Sequence, residues 1–199
     1  MRLPAFALFL PLAATLAVAQ DQPTARAQFE AGEYAPVIEA GHADDAAPDV
    51  LFLAAQSAQR VPDEATARLF ADRLAALPPD SGWHHLGVSI HRMLTGDTAG
   101  ARTAAQQAIA KEPRLAEAHL QLGLALSRRQ EWASAAAAFD KAAELSPMMA
   151  YAYYYGGLAY YRAGRPDRMA NHFEYFLKLA PDAPERPEVT QIMRTVRGR

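Results

Sequence analysis

Hydrophobic positions between residues 116 and 147 recur at three- and four-residue spacing and predict two amphipathic helices joined at Arg129–Gln130. Leu122, Leu126 and Phe139 are the large members of the buried stripe. Gly123, Ala135 and Ala142 are small enough to let the two helices approach closely. Pro147 ends the unit. A pair of this kind cannot bury its outer face alone and needs neighbours built the same way. The chain supplies them at a spacing of 34 residues: Gly123 is answered by Gly157, Phe139 by Phe173 and Pro147 by Pro181, and backwards by Pro113 and Pro79.

The rest of the pattern fills in around these units. Val50, Leu51, Leu53, Ala54 and Ala58 form one face of a helix, and Leu69, Phe70, Leu74 and Leu77 form a second, with Pro62 at its start and Pro78-Pro79 stopping it. In the next unit Gly96 falls nine residues after Gly87, where seven separate the later glycines from their turns. That predicts a first helix extended by about two residues, followed by a second over Thr98–Lys111. Upstream, Ala25–Glu30 and Glu33–Ala40 read as a short helix pair about Gly32, and residues 41–48 as a loop rich in Gly, Asp and Pro. Downstream, Val189, Ile192, Met193 and Val196 make a single helical stripe.

Trp83-x-x-Leu86-Gly87-x-x-Ile90, Ala135-x-x-x-Phe139 and the proline spacing carry a resemblance to the tetratricopeptide repeat (TPR) family across most of residues 48–183. The resemblance implies an all-α fold, a right-handed superhelical solenoid of about four helix-turn-helix repeats over 48–183. A partial repeat over 20–47 would precede them, and a C-terminal capping helix over 184–199 would cover the apolar face left without a successor. It also implies a scaffold whose concave groove holds a protein or peptide, and says little about chemistry.

Composition narrows the setting. Half of the chain is hydrophobic, with few β-branched runs, and there is no cysteine, which excludes disulfides and thiolate metal sites. A net charge of −2 argues against a nucleic-acid partner. Charge is uneven, however: residues 20–81 hold 11 acidic and 4 basic side chains, and residues 162–199 hold 5 and 8. Residues 1–19 read as a secretory signal peptide, with Arg2, an apolar Leu3–Leu16 run and an Ala17-Val18-Ala19 cleavage site. The run is short for a membrane span, so the expectation is a periplasmic chain without stable membrane insertion.

Candidate chemistry is sparse. No phosphate-cradling loop, nucleophile elbow or H-E-x-x-H motif is present, so neither an enzyme nor a cofactor is expected. His84, His91 and His119 could meet across neighbouring repeats as metal ligands, or simply line the groove as polar residues. His42 with Asp44 and Asp45 reads as a solvated acidic loop. Arg92, Arg128 and Arg162 each follow Gly87, Gly123 and Gly157 by five residues, and Arg60 follows Ala55 by five. These arginines predict a ladder at the last turns of the first helices, either capping them or pairing with acidic ligand groups. The family's carboxylate clamp wants an asparagine after each glycine; Val88, Leu124 and Leu158 stand there instead.

Seven of the eight tyrosines lie between residues 151 and 175. Tyr151, Tyr154, Leu158 and Tyr161 form a second stripe on a helix already apolar on its packing side. That stripe is either offered to a partner or covered by the N-terminal segment or the cap. The functional expectation is a binding module that holds a protein or peptide, with an acidic segment or free C-terminus, against Arg60, His84, His91, Arg92, Arg128, Tyr151, Tyr154, Tyr161 and Arg162. The alternative is a structural adaptor of a cell-envelope complex, using its convex face or ends.

Overall fold

The computed structural model describes residues 24–197, and among them every regular element is a helix. The signal segment expected at residues 1–19 lies outside the described residues. A short pair, α1 (Ala25–Glu30) and α2 (Tyr34–His42), opens the fold. Four longer pairs follow: α3 (Pro48–Arg60) with α4 (Glu64–Ala75), α5 (Gly82–Leu94) with α6 (Thr98–Lys111), α7 (Ala116–Arg128) with α8 (Trp132–Leu145), and α9 (Ala150–Arg162) with α10 (Pro166–Leu179). A last helix, α11 (Arg186–Arg197), packs on α10. From α2 to α10 each helix lies against the next, which makes a solenoid of stacked pairs.

The register is strict. The four first helices are each 13 residues long and begin 34 residues apart, at Pro48, Gly82, Ala116 and Ala150. Gly96, Gln130 and Gly164 hold the left-handed turn between the helices of the last three pairs, at φ 82°, 61° and 71°. This corrects the expected two-residue extension of α5. The helix starts at Gly82 because Ser81 Oγ accepts from Trp83 N (3.1 Å) and Glu112 Oε1 from Gly82 N (2.7 Å). Ser89, not Gly87, therefore stands where Gly123 and Gly157 stand in their helices. The reason is volume: Gly123 and Gly157 lie under the rings of Phe139 and Phe173, each with a ring carbon 2.5 Å from where a Cβ would be. The corresponding residue of α6 is Ala105, so a serine fits, and its buried hydroxyl donates to Ala101 O (2.8 Å).

Two other boundaries differ from expectation. Helix α2 runs through Gly41 to His42 instead of yielding to a loop at 41. A Cβ at Gly41 would sit 2.5 Å from Ala54 Cβ and 2.9 Å from Phe70 Cζ, so this glycine is a packing residue. Arg73 closes the end of α2 by donating to the carbonyls of Gly41, Ala43 and Asp44. Pro62 lies in the turn before α4, whose cap is Asp63, accepting from Thr66 N at 3.1 Å.

Phe70, Phe139, Phe173 and Phe176, with Leu74, Leu86, Ile90 and Met169, are large side chains fully removed from water along the stack. Each contributes roughly 1.5–3 kcal/mol. Val189 is fully buried and Met193 nearly so, and Ile192 and Val196 pack against the same core, so α11 presents its apolar stripe to the end of the stack. No described helix is long and apolar enough to cross a membrane.

Candidate binding groove

The first helices form the inner wall, with α5 beside α7 and α7 beside α9. Side chains from α3, α5, α7 and α9 converge there on a pocket of about 450 Å³. Its floor is apolar, from Met93, Leu124, Leu158 and the indole of Trp132; Gln56 and Gln59 add carboxamides, and Glu188 of α11 closes one side. Three arginines reach its rim: Arg60, Arg128 and Arg162. Each is the last residue of its helix, where the carbonyl ends favour a cation.

Only two of the three are available to a ligand. Arg60 is held inside the protein: its guanidinium pairs with Glu185, donates to Tyr155 Oη (2.7 Å) and lies 4.8 Å from the centre of the Tyr151 ring. Burial opposes its charge, but Tyr155, Glu185 and Tyr151 together outweigh that and hold it above the usual arginine range. Arg128 and Arg162 are exposed and have no side-chain partner among the described residues. Arg92 stands apart. The strict register puts it two residues before the end of α5, level with Leu126 of α7, and it pairs with Asp97 at 3.5 Å.

The histidines do not converge. His84 Nδ1 lies 3.1 Å from Leu77 O, His91 Nδ1 lies 2.7 Å from Asp72 Oδ1, and His119 Nε2 lies 3.0 Å from Pro113 O. Both His84 and His91 are turned to the preceding α4 segment and neither lines the pocket. Among the described residues no three His, Asp or Glu side chains are placed to share a metal ion.

Both termini cover the tyrosine stripe. Tyr151 is 2% exposed and Tyr154 7%. The Phe29 ring of α1 meets Tyr151 at 4.9 Å, and Phe176 meets Tyr154 at 5.2 Å. Their hydroxyls donate to the C-terminal segment, Tyr151 to Glu185 just before α11 (2.8 Å) and Tyr154 to Glu188 within it (3.1 Å). Tyr161 remains 42% exposed at the end of α9, outside the pocket lining.

Burial pushes the Tyr151, Tyr154 and Tyr155 phenols above the ordinary value of 10.0, with carboxylates adding to it. Tyr160, partly buried and bonded to Asp140, is pushed up to about 12. With folded values above unfolded ones, this stabilisation is complete below the ordinary phenol value of 10.0 and is lost as pH rises towards the folded values. Helical circular dichroism should therefore collapse in alkali together with the rise of tyrosinate absorbance. Tyrosines that titrate at the ordinary value while helicity persists would contradict this covering.

Sequence reasoning missed Gln56, Gln59, Met93, Leu124 and Trp132 as pocket residues. The signal was available. Stepping the stripe Tyr154, Leu158, Tyr161 back by 34 gives Leu120, Leu124 and Ser127, then Leu86, Ile90 and Met93, then Phe52, Gln56 and Gln59.

Similarity to known proteins follows this architecture. The tetratricopeptide repeat family model matches residues 93–150 and 120–184. A thermophilic TPR protein of Thermus thermophilus superposes with a TM-score of 0.58 at 20% identity, over 74% of this chain and 82% of that one. MamA superposes at 0.51 with 22% identity, over 79% and 95%. The first TPR of Spaghetti (RPAP3), bound to the HSP90 peptide SRMEEVD, gives 0.56 at 16% identity, over 61% and 94%. No curated protein matches in sequence. Residues 93–184 thus carry tetratricopeptide repeats, and α3 and α4 continue the same fold one 34-residue step earlier.

Proposed function

We propose that this chain is an exported, non-catalytic binding module that holds a protein or peptide segment in the inner pocket, through acidic side chains or a free C-terminus. The observation that carries it is the pair Arg128 and Arg162, exposed cations without side-chain partners among the described residues, beside an apolar floor and the Trp132 indole. The fold is typical of protein–protein interaction scaffolds, and a neighbour of the same fold is a peptide complex. A guanidinium pairs with a carboxylate through two parallel hydrogen bonds, and Trp132 with Leu124 and Leu158 gives an adjacent residue a surface to bury. The N-terminal signal reading makes the periplasm its proposed location.

Single exposed ion pairs contribute about 0–1 kcal/mol, so affinity rests on both arginines acting with apolar burial and falls with salt. The test is a peptide library screened against the chain. Acidic or carboxy-terminal peptides should be enriched, and Arg128→Glu/Arg162→Glu should weaken them at least tenfold, about 1.4 kcal/mol. Enrichment of basic peptides, or affinity indifferent to both salt and the double reversal, would reduce the arginines to helix caps. A structural adaptor using the convex side is the second reading. It is favoured by Tyr175 of α10, 55% exposed and stacked at 5.1 Å on Tyr153. Partner capture lost on Tyr175→Ala but kept in the arginine variant would select it.

A further inference from the structure

The part of the inner surface beside the open pocket is already occupied, and by the chain itself. Helix α1 is six residues long, too short to be stable alone. It lies across α3, α7 and α9 through three side chains at positions i, i+3 and i+4. Arg26 pairs with Glu117 of α7 at 2.8 Å. Phe29, 6% exposed, enters a recess walled by Phe52, Leu53, Leu120 and Tyr151. Glu30 Oε1 accepts from Ala150 N at 3.1 Å, at the start of α9.

The first and last of these contacts meet needs that the rest of the solenoid leaves open. The residue before α9 is Met149 and the one before α7 is Leu115, neither of which supplies a side-chain cap. The amide of Ala150 at the start of α9, which has no capping side chain before it, is an anion site that Glu30 fills. Glu117, 8% exposed on the inner wall, is an acid whose one cation among the described residues is Arg26. The surface thus shows, in order, an acid, an apolar recess and a helix N-terminus. The complement is a basic residue, an aromatic three later and an acid next to it.

We propose that this surface is a receptor for a short amphipathic helix of the pattern basic-x-x-aromatic-acidic, and that α1 is its resident in cis, which a partner helix of the same chemistry displaces. The site adjoins the open pocket and shares Gln56 and Tyr155 with it, but Arg26, Phe29, Glu30 and Glu117 line none of that pocket, and Arg128 and Arg162 line none of this recess. The connection suits an exchangeable element. Ala31, Gly32 and Glu33 join α1 to α2, and Gly32 turns at φ 80° against Pro184, so α1 can swing away without unwinding α2. A tethered resident competes at high effective concentration, so the intact protein binds a free partner helix weakly.

The test uses the full chain and a fluorescent peptide spanning residues 24–32. Phe29→Ala and, more mildly, Arg26→Ala loosen the resident helix, and both should bind the peptide at least tenfold tighter than wild type. Adding Glu117→Arg should abolish that binding, and a peptide carrying Arg26→Glu should restore it. Arg128→Glu/Arg162→Glu should leave it unchanged, which separates this site from the open pocket. Equal binding by wild type and both loosened variants, or binding indifferent to the charge at Glu117, would overturn the proposal. Loss of helical circular dichroism in Phe29→Ala and Arg26→Ala alike would also overturn it, by making α1 part of the core.

Discussion

Gly87→Ala is expected to destabilise the protein by about 3 kcal/mol, the upper end for one methyl group forced into a packed interior. A Cβ at Gly87 would stand 2.6 Å from Ala71 O and 2.6 Å from Leu74 Cβ, and closer still to Ala75 N. Two of these three atoms are backbone of α4, so no rotamer change relieves them and α5 must lift off its neighbour. The gain in helix propensity from glycine to alanine, about 1 kcal/mol, does not offset this. For a chain of this size the loss corresponds to roughly 6–12 °C in Tm. Gly100→Ala is the internal control. A Cβ there meets only the ends of Asp97 and Arg92; displacing Asp97 loses its cap on Gly100 N (2.8 Å), about 1 kcal/mol, which the gain in helix propensity offsets, so stability should stay within about 1 kcal/mol of wild type. Equal stability of the two variants in urea unfolding would mean that the α4–α5 contact is looser than its geometry.

The same glycine shows what was legible in the chain and what was not. The repeat length, the limits of α6 and the pairing of Gly123 with Phe139 were readable, because they rest on local period and on residue volume 16 positions apart. The phase of α5 was not. Trp83-x-x-Leu86-Gly87 mimics a repeat opening two residues out of step, and only Ser89 against Ala105 reveals the true one. Gly41 read as a breaker because a glycine under a neighbouring helix and a glycine in a loop look alike until Ala54 and Phe70 are placed above it. The placement of Arg128 and Arg162 at the last turns of their helices followed from spacing. The capture of Arg60 did not, because Glu185 and Tyr155 lie 125 and 95 residues away in sequence.

That capture carries the second large effect. Arg60→Ala is expected to cost about 3 kcal/mol, the lower end of the range for breaking a buried pair, because Glu185 keeps its bond from Tyr151. The penalty falls on the carboxylate left behind. Glu185 is 8% exposed, and without the guanidinium it must hold its charge in an apolar surround or take up a proton. Glu185→Ala in the same chain should recover much of the loss, and a double-mutant cycle measures the coupling directly. Arg60→Lys should fall between, since a single ammonium cannot serve Glu185 and the Tyr155 hydroxyl in the way the planar fork does. A stack of repeats couples mainly neighbour to neighbour, and Arg60 is a polar tie that joins α3 directly to α9 and to the segment before α11. Cutting it should therefore also broaden the unfolding transition, with a smaller dependence on urea concentration, as the two ends of the stack melt apart. An Arg60→Ala chain that unfolds as sharply and at the same urea concentration as wild type would show that the ring of contacts around Arg60 does not couple the ends.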